Sequence, residues 1–158
     1  MLMKATDFVA SQKGVGLIEV LVALLVLSVG LLGLASLQIT ALKFNQSAFF
    51  RTHATILTYD VLDRMRGNLD QALTTTDYTV DYGTTPTAGT NCDAAACTSG
   101  AMADFDLNYW KGELAERLPG GDGEISYTVS GNTRIYEIRT HWTDRDGQVQ
   151  ELELESVL

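Results

Sequence analysis

The sequence has few cations and gathers them nowhere. Lysine and arginine number 11 against 20 acidic residues, which gives the 158-residue chain a formal net charge of −9. Proteins that bind nucleic acid need clustered Lys and Arg to contact the phosphates. Because this chain has an excess of acids and no basic patch, nucleic acid is not expected among its partners.

Residues that would mark a catalytic or metal site are also scarce. The two histidines, His53 and His141, lie far apart in the chain. No phosphate-binding glycine loop and no nucleophile elbow frames a Ser, Asp or His. Asp144 and Asp146 share part of a calcium-loop spacing, but Trp142 at the first ligand position cannot bind the ion, so a hairpin turn is predicted. We therefore expect no enzyme activity, no cofactor and no metal.

Formal charge is absent from Val20 to Leu42, a stretch rich in Leu and Val. A helix of this length measures about 35 Å, enough to cross the hydrocarbon core of a bilayer. Glu19 stands at its start, where a carboxylate costs about 2–3 kcal/mol on insertion. The cost calls for a compensating cation, so Glu19 is a candidate functional residue. The alternative is a plain signal anchor, in which the Glu19 carboxylate reaches water at the membrane surface.

The chain has no secretory cleavage site after the apolar stretch. Such a site would place small residues there in an Ala-x-Ala pattern, whereas residues 37–40 read Leu-Gln-Ile-Thr. The candidate processing point therefore lies before the stretch, at Gly14. Glycine suits a peptidase site because it lets the backbone extend and approach the enzyme closely.

Residues 13–25, Lys-Gly-Val-Gly-Leu-Ile-Glu-Val-Leu-Val-Ala-Leu-Leu, resemble the class III leader and N-terminal helix of type IV pilins and type II secretion pseudopilins. In that family a membrane peptidase cuts after the glycine and methylates the new amino terminus, and the fifth mature residue is Glu. The resemblance implies cleavage between Gly14 and Val15, N-methylation of Val15, and a role for Glu19 in subunit assembly. Val15 departs from the usual Phe, and Gly16 from the commoner Thr or Ser.

Cleavage at this position would give each chain both halves of an ion pair. The new terminus on Val15 would be a cationic α-ammonium beside the membrane. In a low dielectric, an ammonium and a carboxylate strongly prefer each other to isolation. We expect Glu19 of one subunit to neutralise the Val15 terminus of its neighbour, and this pair to set the axial register of a helical bundle.

Two helices are predicted from apolar periodicity. The first runs from about residue 16 to 66 and ends at Gly67-Asn68; the second covers residues 101–118 and stops at Pro119. Residues 68–100, between them, are predicted to form a long loop. The apolar stripes are Phe50, Ala54, Leu57, Val61 and Met65 in the first helix, and Leu107, Trp110, Leu114 and Leu118 in the second.

The remainder of the chain alternates as strands do and predicts a three-stranded antiparallel meander. Turns are expected at Gly131-Asn132 and at residues 144–147. One face of the sheet is apolar and should pack on the stripe of the long helix. The residues assigned to this face are Ile125, Tyr127 and Val129, then Tyr136, Ile138, Thr140 and Trp142, then Leu152 and Leu154.

Cys92 and Cys97 lie in the long loop with four residues between them. An oxidising periplasm favours a local disulfide between them, worth about 2 kcal/mol. Free thiols are the alternative. A zinc site is disfavoured because it needs four ligands and no histidine is near.

The order of elements resembles the α+β pilin fold, in which a long N-terminal helix packs on a small antiparallel sheet. Residues 24–35, the cysteine pair and residues 118–123 also resemble the minor pilins called PilV. The resemblance implies three segments: a leader at residues 1–14, a membrane and polymerisation helix at 15–42, and a periplasmic domain at 43–158.

The function implied is that of a minor pilin in an initiation complex at the tip of a type IV pilus. Its partners would be other minor pilins, the major pilin and the prepilin peptidase, and it would support adhesion and twitching motility. The chain would span the inner membrane once before entering the extracellular pilus. The alternative is a type II secretion pseudopilin. A third class, a signal-anchored periplasmic enzyme or binding module, would keep an unprocessed Met1 terminus.

Overall fold

The computed structural model describes residues 14, 16–87 and 89–158. Residues 1–13 of the predicted leader, and Val15 with its predicted cleavage and methylation, lie outside the described residues. The chain divides into two compact units between Leu42 and Lys43.

Helix α1 runs from Leu17 to Gly67. It begins where the backbone N–H groups of Glu19 and Val20 donate to the carbonyl of Gly16, at 3.0 and 3.3 Å. No proline or glycine interrupts residues 38–66. The helix ends at Gly67, a residue type common at helix C-termini because it pays no steric cost for leaving the helical conformation. The single long helix predicted over residues 16–66 is confirmed.

In the first unit, the large apolar side chains of α1 have no cover from the described chain. Those between Leu17 and Leu42 are 45–91% exposed. Among the described residues, α1 is the one helix long and apolar enough to cross a membrane. An apolar surface of this size in water would be unstable, so it requires lipid or other apolar helices around it.

The second unit contains the rest of α1 and an antiparallel sheet in the order β1-β2-β3. Its other elements are α2 (Leu69–Thr74), α3 (Ser99–Arg117), β1 (Asp122–Ser130), β2 (Thr133–Thr143) and β3 (Val149–Val157). Both predicted turns are present: Gly131 has a φ of 64°, and Asp144 accepts backbone N–H bonds from Asp146 and Gln148 at 3.0 Å each. The α+β architecture is confirmed.

The core of the second unit lies where α1, α3 and the sheet meet. Both predicted helical stripes are in it, with Phe50 at its margin. Thr58 on α1 and Thr140 on β2 share a buried hydrogen bond of 3.1 Å, which satisfies both hydroxyls inside the apolar layer. The largest fully buried side chains are Trp110, Trp142, Tyr78 and Tyr136.

Two local predictions are wrong. Strand alternation predicts that Val129 lies on the same buried face as Ile125, yet Val129 is 64% exposed. It is exposed because the far end of the β1–β2 hairpin extends beyond the core. The segment predicted as a loop contains helix α2, whose Ala72 carbonyl accepts a hydrogen bond from the Tyr136 hydroxyl at 2.6 Å. A helix this short has no usable periodicity, and its position depends on tertiary contacts that the local sequence does not reveal.

Candidate functional site

Glu19 lies in the first turn of α1, where a carboxylate interacts favourably with the helix dipole. It borders a shallow apolar cleft on the helix surface with Val20, Ala23, Leu24 and Leu27. No lysine or arginine occurs between residue 16 and Leu42. Within the described part of its own unit, therefore, no side chain can neutralise the Glu19 carboxylate.

Two hydroxyl groups of this segment, those of Ser28 and Thr40, are satisfied inside the helix. Ser28 donates to the carbonyl of Leu25 at 2.8 Å, and Thr40 donates to the carbonyl of Ser36 at 3.0 Å. Such bonds let hydroxyl side chains sit in lipid without a free donor. The Glu19 carboxylate has no cationic partner among the described residues of its unit. It is therefore the group of the apolar segment whose burial in lipid would cost the most free energy.

Gly14 is exposed and lies before the helix begins. Val15 is outside the described residues, so both the cleavage point and the pairing of Val15 with Glu19 stay predictions. The site that the sequence predicts consists of one described carboxylate and a terminus that only processing would create.

Cys92 and Cys97 form a disulfide, as predicted, and neither is a free thiol. The bond closes a small loop shortly before α3. Farther back in the same segment, the carbonyl of Pro86 accepts a hydrogen bond of 2.7 Å from the Asn108 amide on α3. The segment is therefore closed by a covalent bond and attached to the domain by a polar contact.

A polar cluster, buried except for its arginine, joins α1, the loop that follows α2, and α3. Asp106 accepts hydrogen bonds from Tyr78 at 2.7 Å and from Arg64 at 3.2 Å, while the Asn68 amide donates to the Tyr78 hydroxyl at 3.1 Å. Burial, reinforced by the Asp106 carboxylate, raises the pKa of Tyr78, so the phenol stays neutral and donates. The polar groups of this cluster are hydrogen-bonded to one another, which is typical of a structural role.

A second cluster surrounds Lys111, whose ammonium is almost fully buried. It donates to the carbonyls of Asp81 at 3.0 Å and Gly123 at 2.6 Å, and to the Asp122 carboxylate. The other Asp122 oxygen accepts the backbone N–H of Gly83 at 2.6 Å. Partial burial favours a higher pKa for Asp122, but these hydrogen bonds outweigh it, and its pKa lies below the usual value. The cluster fastens the loop to α3 and β1.

Replacing Lys111 by methionine should lower the free energy of unfolding by about 3 kcal/mol, because it removes the ammonium that pairs with the partly buried Asp122 carboxylate and donates to two carbonyls. The depressed pKa of Asp122 stabilises the folded state above pH ~4, and this contribution is lost as the pH falls through the folded pKa. The difference in the free energy of unfolding between wild type and variant, measured by urea unfolding, should therefore become smaller below pH ~4.

Lys43→Met is the matched control. The Lys43 ammonium pairs with Asp146 at 3.0 Å, but both side chains are about half exposed or more. An exposed pair contributes at most about 1 kcal/mol, so this variant should unfold nearly as the wild type does. Equal losses in the two variants would contradict the role assigned to the Lys111 cluster.

The histidines pack against aromatic rings, and the described residues contain no group of side chains suited to a metal ion. The ring centroids of His53 and Phe49 are 4.3 Å apart, and those of His141 and Tyr82 are 4.5 Å apart. Burial raises the pKa of Tyr82 to about 12, so this phenol also stays neutral.

Two family models match adjoining parts of the chain. The model of the prokaryotic N-terminal methylation motif matches residues 9–35, and the model described as type IV pilin Tt1218 matches residues 36–108. Together they run without a gap from the leader through the apolar helix and the disulfide into α3. The chain belongs to the type IV pilins. Neither the curated proteins nor the solved structures yield a significant match to this pilin.

The methylation-motif match contains Gly14, Val15 and Glu19. A type IV pilin with such a leader is processed by a peptidase and assembles with other pilins. The leader motif and the apolar part of α1 fit anchoring in the inner membrane before assembly.

Proposed function

We propose that this protein is a minor pilin that primes assembly of a type IV pilus. After cleavage between Gly14 and Val15 and N-methylation of Val15, it joins an initiation complex at the pilus tip with sister minor pilins, on which the major pilin polymerises. Through this role it supports adhesion and twitching motility. The observation that carries the proposal is Glu19, a single carboxylate at the start of an exposed apolar helix.

The reason is energetic. A carboxylate in a membrane helix is retained at a cost of about 2–3 kcal/mol, and no described residue of its unit offsets that cost. A neighbouring processed subunit would supply the α-ammonium of its own Val15. The same contact would bury the exposed apolar side chains of both helices. Lys4 and Lys13 of the leader would stay on the cytoplasmic side, which leaves residues 43–158 in the periplasm.

The alternative is a type II secretion pseudopilin, which the leader resembles equally. Deleting the coding sequence and restoring it in trans separates the two. A pilus primer should, when deleted, reduce surface pili and twitching while secretion of folded exoproteins continues. Loss of secretion with pili intact would favour the pseudopilin.

The processing step is tested by the intact mass and N-terminal sequence of the membrane-extracted protein. The expected species begins at Val15 and is one methyl group heavier than the unmodified chain. The matched control is a Gly14→Leu variant, in which a bulky side chain occupies the cleavage position and the full leader should remain. An intact Met1 terminus in the wild type would contradict the proposal and favour a signal-anchored periplasmic protein.

A further inference from the structure

The two edges of the sheet differ in the described chain. The edge of β1 is partly covered, because Val80 and Ile125 exchange two backbone hydrogen bonds of 3.0 and 2.9 Å. β3 pairs with β2 on one side, and no other described segment forms a backbone hydrogen bond with it. Its nine residues contain neither proline nor glycine. This edge therefore offers a regular row of free backbone donors and acceptors.

The outward face of β3 has a defined charge pattern. Val149 and Val157 are 68% and 59% exposed at its two ends. Between them stand the exposed carboxylates of Glu151, Glu153 and Glu155. The pattern along this face is apolar, acid, acid, acid, apolar.

Within the described residues, none of these three acids forms an ion pair with a cation of the chain itself. Arg139 lies opposite Glu153 in the register, yet its guanidinium is placed at 3.0 Å from both Glu124 and Glu137. The three β3 carboxylates thus form no ion pair there. Opposite charges directly across a strand pair are favourable and like charges are unfavourable. The unpaired edge of β3 is therefore complementary in charge to a strand that carries Lys or Arg.

We propose that the β3 edge is a docking site for an extended basic segment of a partner protein, which adds a fourth strand to the sheet. The segment would carry Lys or Arg at three alternate positions opposite Glu151, Glu153 and Glu155, with apolar residues at both ends. Its other face would extend the cover over Leu152 and Leu154, which are only partly buried. The proposal holds whether or not the protein primes a pilus.

A second copy of the chain does not fit this edge. Antiparallel self-pairing centred on Glu153 would place Glu153 opposite its own copy and Glu151 opposite Glu155. A shift by two residues again opposes acid to acid, and a shift by one turns the carboxylates toward the core face. Glu151, Glu153 and Glu155 therefore disfavour pairing with a second copy of β3 and favour pairing with a cationic strand.

The test uses the full-length processed protein in detergent micelles and a labelled nine-residue peptide as the probe. The peptide has Val at both ends, Lys at its third, fifth and seventh positions, and Thr elsewhere. Fluorescence anisotropy should detect binding at 50 mM salt, weakened about tenfold or more at 500 mM salt. A peptide with Glu in place of Lys should not bind.

Two N-methylated peptides separate strand addition from charge attraction. Alternate amides of a strand point to opposite edges, so methylating one alternate set should abolish binding and methylating the other should leave it unchanged. If both methylated peptides bind like the parent, the contact is electrostatic adsorption and the proposal is wrong. Because this comparison uses the wild-type protein, it does not depend on any variant folding.

Charge reversal in the protein supplies the matched control. The triple variant Glu151→Lys, Glu153→Lys, Glu155→Lys should lose at least about tenfold in affinity for the Lys peptide and gain binding of the Glu peptide. The control variant Asp70→Lys, Asp104→Lys, Glu116→Lys has the same net charge, with all three exposed changes on α2 and α3. It should bind like the wild type. Equal losses in both triple variants, or no binding by the wild type, would overturn the proposal.

Discussion

A pilin with leucine in place of Glu19 should insert into the membrane at least as well as the wild type and yet be missing from the assembled fibre. Insertion improves because the change removes a charge that costs about 2–3 kcal/mol in the bilayer. Assembly fails because the α-ammonium of the neighbouring Val15 would be buried without its partner. Removing one member of a buried ion pair costs about 3–5 kcal/mol, which corresponds to a loss of at least about a hundredfold in the assembly equilibrium.

The measurement compares the membrane fraction with the sheared fibre fraction by quantitative immunoblot. Gln38→Leu is the matched control, since it also replaces a polar side chain of the uncharged segment by leucine but removes no charge. It should leave the fibre content unchanged. Glu19→Asp keeps the charge and should retain part of the assembly, whereas Glu19→Gln should behave like leucine.

A fibre that contains the Glu19→Leu chain at wild-type levels would show that assembly does not need this carboxylate. A chain lost from the membrane fraction as well would point to a role in insertion or stability instead. Either result would remove the support that Glu19 gives to the proposed function. The intact-mass experiment would still report on processing at Gly14, so the two parts of the proposal can fail separately.

The elements that the sequence predicts well are those whose signal is local and repeated. The stripes of α1 and α3 recur over several turns, and Gly67 and Pro119 end them. Strand alternation with glycine-containing turns likewise predicts the meander. Each of these patterns depends on residues a few positions apart, so neighbouring side chains are sufficient to reveal it.

The parts that the sequence does not predict depend on residues that meet only after folding. Arg64, Tyr78 and Asp106 form one polar cluster from three separate segments, and no spacing rule connects them. Lys111 looks like an ordinary exposed lysine of a helix until its three acceptors are placed around it. Glu19 was identified by the cost of its charge, but its proposed partner belongs to another molecule and no single chain can contain it.

The same substitution at two glycines should change the stability of the second unit in opposite directions. Gly121 lies in the turn between α3 and β1, and its N–H donates to the carbonyl of Leu118 at 2.9 Å. A Cβ there would lie 2.7 Å from the Cβ of Leu118 and 2.9 Å from the carbonyl carbon of Leu114, and would clash with the oxygen of that carbonyl. Backbone atoms of a helix end cannot move aside cheaply, so Gly121→Ala should cost about 3 kcal/mol.

Gly112 provides the matched comparison, because it lies in the middle of α3 and a Cβ there would meet no atom within 4 Å apart from its chain neighbours and the backbone of the helix itself. Alanine is favoured over glycine in a helix interior by about 1 kcal/mol. Thermal unfolding of the full-length protein in micelles, followed by circular dichroism, should show a Tm lower by about 12 °C for Gly121→Ala and higher by about 4 °C for Gly112→Ala. If Gly121→Ala melts like the wild type, the close approach of this turn to α3 does not constrain the fold. If Gly112→Ala loses stability, the surface of α3 around Gly112 takes part in packing, contrary to the open space found there.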